Sequence, residues 1–207
     1  MNKLIFIIFF SLISMFVFSQ KIDGIGKFKI DKTTPSIIDN IKKETGLDCD
    51  ITNVMEFYGK ETNDTVLQEI LLNCKNTKLY YISHYKLENI NLNNVYLMFY
   101  NDELIEFRCD KNKDLDILFT RKHGRPYIQQ KIYQNIVLNT LKYDEHITKY
   151  VWRYNSITVL SYESRQVFDG ITREAGSYFI IFNKTYKKII KDCDIFRDEL
   201  ENKMEDI

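Results

Sequence analysis

Seven residues carry the chain's nucleophile and acid–base potential: the cysteines Cys49, Cys74, Cys109 and Cys193, and the histidines His84, His123 and His146. A thiolate beside an imidazole would be a nucleophile with its base, but none of these residues is brought to the other by local spacing. The sequence has no GxSxG elbow, no CxxC pair for redox chemistry or zinc, and no HxxxH, HExxH or ordered calcium loop. Lys111–Asp116 (KNKDLD) collects acids and amides, and its order suits a helix N-terminus where acids favour the dipole. DGIGKF holds a Gly-x-Gly without the third glycine or a preceding strand, so it reads as a turn. The 29 acidic residues supply carboxylates in number, yet no spacing singles out a catalytic pair. No catalytic residue, metal ligand or cofactor-binding residue is therefore assigned, and no cofactor is expected.

The cysteines also admit a structural role. An even number in an oxidising compartment can form two bridges, in three connectivities. A Cys49–Cys74 bridge would close a loop of about 25 residues and stabilise by roughly 3–4 kcal/mol through chain entropy. It would leave Cys109 with Cys193. The alternative is four buried thiols acting as small hydrophobes.

Charge narrows the partners. Lys plus Arg and Asp plus Glu are both 29, so the formal net charge is zero and a general nucleic-acid binder is not expected. Lys184, Lys187, Lys188 and Lys191 share one face of an expected C-terminal helix. That stripe is either ordinary solvated surface or a contact for an anionic partner, such as an envelope polymer or an acidic protein surface. Tyrosine is abundant, with 14 residues, and Tyr80, Tyr81, Tyr85, Tyr96 and Tyr100 gather on expected strands, where sheet packing is the favoured role.

The elements that must position these residues follow from hydropathy patterning. Residues 1–19 read as a signal peptide: Lys3, the apolar run Leu4–Phe18, and Val17-Phe18-Ser19 before Gln20 as the cleavage site. The run is shorter than the roughly 20 residues a spanning helix needs. No later run is long enough, so no membrane span is expected after signal removal. Residues 20–207 read as a single domain in the periplasm or outside the cell. Residues 22–32 read as a short strand, and Thr34-Pro35 opens a helix over 35–45 that Gly46 can stop. Strands are expected at 79–87, 94–100 and 103–109, the last two joined by Asn101-Asp102. Asn112 caps a second helix ending at Gly124 and Pro126. Residues 127–150 read as a polar connection. Strands follow at 157–163 and 177–182, then a helix of about twenty residues capped by Asn183. The expected class is α+β: a mainly antiparallel sheet, two short helices and a longer C-terminal helix, arranged as two helix-plus-hairpin halves.

The signal ending FSQ, the segment INLNNVYLMFYNDELIEF, the helix end RKHGRP and the single Trp152 resemble small exported bacterial α+β proteins of unknown function. The helix-plus-sheet pattern is more distantly similar to β-lactamase-inhibitor-like repeats and outer-membrane-assembly lipoprotein folds, although the lipobox cysteine is missing. The distant resemblance implies at most a binding role, and neither resemblance brings site residues with it. The leading expectation is an exported, non-catalytic protein that binds another macromolecule. The alternatives are a small secreted hydrolase with a spatially assembled acid or Cys/His site, and a structural envelope component. Oligomeric state is not legible at this level.

Overall fold

Over 79–109 and 157–182 apolar and aromatic residues recur in strand-length runs, and these segments fold accordingly into long strands. The computed structural model describes residues 21–45, 50–51, 77–138 and 141–184. In chain order these form β1 (Gly24–Ile25), β2 (Phe28–Lys29), α1 (Ile37–Thr45), β3 (Asp50–Ile51), β4 (Thr77–Leu87), β5 (Ile90–Tyr100) and β6 (Glu103–Asp110). They continue with α2 (Lys113–His123), β7 (Tyr127–Leu138), β8 (Leu141–Tyr154), β9 (Ile157–Phe168) and β10 (Ile171–Asn183).

β1 and β2 make a small ribbon, and the remaining strands form one antiparallel sheet in the order β3-β4-β5-β6-β10-β9-β8-β7. Two meanders, β4–β6 and β7–β10, are thus joined at β6·β10, where Cys109 lies opposite Phe179 and Phe107 opposite Ile181. α2 carries the chain from the centre of the sheet to its far edge at β7.

Local chemistry sets the turns. Asn101 and Asp102 both take positive φ (50° and 61°), as do Asp169 and Gly170 (47° and 82°). Each pair closes a two-residue hairpin loop of the kind that matches strand twist. Asn112 caps α2, its side chain accepting the Asp114 N–H at 2.8 Å, and Gly124 ends the helix with its N–H on the Thr120 carbonyl.

The α+β expectation is overturned. Among the described residues strand makes up 64% and helix 16%, with two helices, so the class is mainly β. The expected longer C-terminal helix falls on residues 185–207, which lie outside the described residues, and the segment through Asn183 that leads into it is strand β10. The halves are not helix-plus-hairpin units, because α1 and α2 precede meanders of three and four long strands. The largest change is at 127–150, which holds most of β7 and β8 rather than a connection. Gln, Lys and Asp interrupt its apolar residues because β7 is largely exposed and most of β8 only half-buried, so the composition mimics a loop.

One core lies between the sheet and the layer made by the ribbon, α1 and α2. Phe28 of β2 is fully buried between Tyr85 and Phe107, with ring centroids 5.2 and 5.3 Å away. α1 adds Ile38 and Ile41. α2 adds Leu115 and Phe119, and the Phe119 ring sits 5.1 Å from Phe179 and 5.9 Å from Trp152. The N-terminal segment is tied in by backbone bonds between Asp31, Thr33 and Leu104, and by Asn183 donating to Asp31.

The tyrosines divide by face. Tyr85 is core, and Tyr80 packs edge-on to Phe99. On the other face Tyr81 lies beside Tyr96, Arg108 covers the Tyr178 ring at 4.3 Å, and Tyr162 stacks on Tyr178 at 4.8 Å. Most of the excess is cross-strand packing, which is what neighbouring side chains on a pleated sheet do.

Candidate functional site: the groove beside α2 and the edge at β7

α2 has two flanks at helical spacing. Leu115 and Phe119 face the core, while Lys113, Asp116, Ile117, Thr120 and Arg121 recur three or four residues apart on the other side. Eleven residues make a helix of only about 16 Å. The strands beneath it hold 12 and 14 residues, which span roughly 40 Å or more. The helix cannot roof that length, and a groove of about 770 Å³ lies between its outer flank and the sheet. The sheet side is Ile128, Tyr150 and Trp152, with Pro126 closing the end. Ile128 and Tyr150 face each other across β7 and β8.

The groove has an ordered polar end. Lys111 donates to Glu163, whose other oxygen receives Arg165, and the Lys111 ammonium lies 5.4 Å from the centre of the Tyr150 ring. The hydrogen bond from Lys111, helped by the charges of Lys111 and Arg165, holds the Glu163 carboxyl below its usual value. Asp116 is shifted the other way. Burial raises its pKa, against a pull from Ser161 and Lys111. Ser161 Oγ faces Asp116, yet neither it nor Asp116 Oδ1 completes a well-aligned hydrogen bond. Around the rim, Lys113, Arg121 and Arg125 have no acidic partner among the described residues.

β7 is the last strand of the sheet, and no strand pairs with its outer side among the described residues. Large apolar side chains stand exposed along it: Tyr127 (65%), Ile128, Ile132, Tyr133 and Val137 (67%). Register places Ile128 and Ile132 on the groove face and Tyr133 on the opposite one. A bulge between Tyr133 and Ile136, with Asn135 at φ 57°, bends its far end.

The residues singled out in the sequence are dispersed. Cys109 is a free thiol buried on β6, and burial, with Asp110 adding to it, pushes its pKa far up. That environment suits packing and not nucleophilic attack. Cys49, Cys74 and Cys193 lie outside the described residues, as do Ser19, Gln20, Lys187, Lys188 and Lys191. Lys184 is exposed just after β10, its backbone N–H on the Ser156 carbonyl. His84 contacts Asn93 Oδ1 from β4, His123 ends α2, and His146 lies on β8. β4 and β8 are five strand spacings apart, about 24 Å, so His84 and His146 belong to no common site.

Among the described residues no cluster of three His, Cys, Asp or Glu side chains could hold a metal ion. No described helix is long and apolar enough to cross a membrane. The groove and the edge were missed by sequence reasoning. Their traces were present: the second stripe on α2, and Tyr127, Ile128, Ile132 and Tyr133 set among glutamines.

Comparison with protein-family models, with curated proteins and with solved structures found no match.

Proposed function

We propose that this is an exported, non-catalytic binding protein that takes an extended polypeptide segment of another protein along the open edge of β7. The observation that carries the reading is that edge: a 12-residue terminal strand with exposed apolar side chains on both faces. An unpaired edge presents a row of backbone donors and acceptors, and soluble proteins ordinarily blunt such edges with charge. β7 instead carries one charged residue, Lys131. An incoming strand would gain affinity from main-chain hydrogen bonds and selectivity from alternate side chains against Ile128, Ile132 and Tyr133. Export rests on residues 1–19, with their basic start, apolar run and Val-Phe-Ser end.

The test uses the full mature chain as bait in an extract of the producer's envelope, alongside Ile132→Lys. A retained protein is purified with the bait and the pair is followed by amide hydrogen exchange. The expected result is new protection on β7 and at least tenfold weaker capture by Ile132→Lys, with the fold unchanged by circular dichroism. Equal capture by the variant, or protection only at β4, would overturn the reading.

A further inference from the structure

We propose that the groove between α2 and the β7–β8 edge binds a small amphiphilic anion: one apolar body carrying a single carboxylate, sulfate or phosphate group.

The inference stands apart from the edge reading, since it rests on side chains of α2 and of the groove wall and not on the free backbone of β7. Size comes first. About 770 Å³ falls within the range of small-molecule sites, roughly 300–1,000 Å³. The walls then select an apolar body, because Ile117, Pro126, Ile128 and Tyr150 offer carbon and ring surface beside the nearly buried Trp152. An inorganic ion would leave that surface wet. The sign of the head group follows from the charge count at the rim. Lys113, Arg121 and Arg125 are cations with no acidic partner among the described residues. Lys111 is already engaged by Glu163. The opposing charge within the groove is Asp116, and burial disfavours its ionised form. Both arginines are exposed and free to close on an acid as a planar fork. A neutral ligand would fill the walls and leave the cations unanswered. A lipid surface is too broad for a cleft flanked by a helix and a sheet edge, so the occupant is a single free molecule.

The chain carries its own reporter, because its single tryptophan, Trp152, lines the groove. The full chain is titrated with anilinonaphthalene sulfonate, an anionic amphiphile, while Trp152 is excited and energy transfer to the probe is read. Parallel titrations use N-phenyl-1-naphthylamine, which lacks the sulfonate, and competition uses laurate or vesicles of anionic phospholipid. Variants are the double change Arg121→Gln with Arg125→Gln, and Lys86→Gln on β4 as a distant exposed cation.

The expected result is one saturable site per chain with transfer from Trp152, and displacement by laurate but not by vesicles. The uncharged probe and the double arginine variant should each bind about tenfold more weakly, the scale of one charge-assisted contact. Lys86→Gln should bind as the parent does. Equal binding of the two probes would overturn the proposal. So would unchanged binding in a double variant with native circular dichroism, absence of transfer from Trp152, or displacement by vesicles alone. If the double variant unfolds, the comparison of the two probes on the parent chain decides.

Discussion

Trp152 reaches from β8 to donate its indole N–H to the Gly124 carbonyl, at 2.9 Å. The bond joins the end of α2 to the sheet beneath it, and the ring is almost fully buried beside Phe119. Together with Leu115 and Phe119, this side chain seats the end of α2 on the sheet beside the groove. The turn at Gly124, with φ of 85°, needs a residue without a β-carbon for the carbonyl to be presented there.

Replacing Trp152 with Phe keeps the apolar contact but removes the donor. The expected cost is about 1–2 kcal/mol, from one lost hydrogen bond and imperfect filling. Urea unfolding followed by far-UV circular dichroism measures it, because the variant has no tryptophan left to report.

Asn112 does two tasks at the start of α2. Its side-chain oxygen accepts the Asp114 N–H, and its amide donates to the Asn91 carbonyl at 2.8 Å. Asn112→Ala should destabilise by about 1–2 kcal/mol, through loss of the cap and of the tie to β5. Asn112→Asp should recover the cap and not the tie, and so fall between the two.

Glu163 and Asp116 should give opposite pH signatures. Glu163 has a folded pKa below its ordinary 4.5, so it contributes stability above that value, which is lost as pH falls through the folded pKa. Glu163→Gln should therefore cost about 1 kcal/mol at pH 7 and progressively less in acid. Asp116 has a folded pKa above its ordinary 3.8, so its charged form is penalised above the folded pKa and the penalty vanishes below the unfolded one. Asp116→Asn should stabilise at pH 7 and make no difference below about pH 3.5. Chemical denaturation of the three chains between pH 3 and 7 is the measurement, and curves of the same sign would contradict this arrangement.

Cys109 should resist alkylation in the folded protein. Its thiol is 2% exposed, and burial suppresses the thiolate that would react. Iodoacetamide followed by mass spectrometry should label Cys109 only after denaturation. Labelling at the rate of an exposed thiol in the native state would show that β6 opens.

Much of the local structure was legible from the residues themselves. Period-two patterning located β4, β5, β6, β9 and the end of β10, and Asn101-Asp102 marked a turn because Asn and Asp tolerate positive φ. Asn112 and Gly124 bounded α2 through the hydrogen bonds that helix ends require. β7 and most of β8 were not legible, because β7 is exposed on both faces and β8 is mostly half-buried, so neither has a continuous apolar side, and neither has a loop's glycines. The candidate site was invisible for a related reason: its stripe on α2 is polar, and only the helix's seat on the sheet shows that the stripe faces Ile128 and Tyr150.

By itself, then, the sequence determined where the chain turns, which short helices form and which strands have a dry side, since each depends on neighbours a few residues apart. Only the tertiary structure decided that β10 pairs with β6, that β7 is the edge strand among the described residues, and that Lys111 meets Glu163 across 52 residues. Those outcomes depend on how two meanders dock and where a short helix ends above long strands. That docking is a balance of packing over the whole sheet, and no local pattern encodes it.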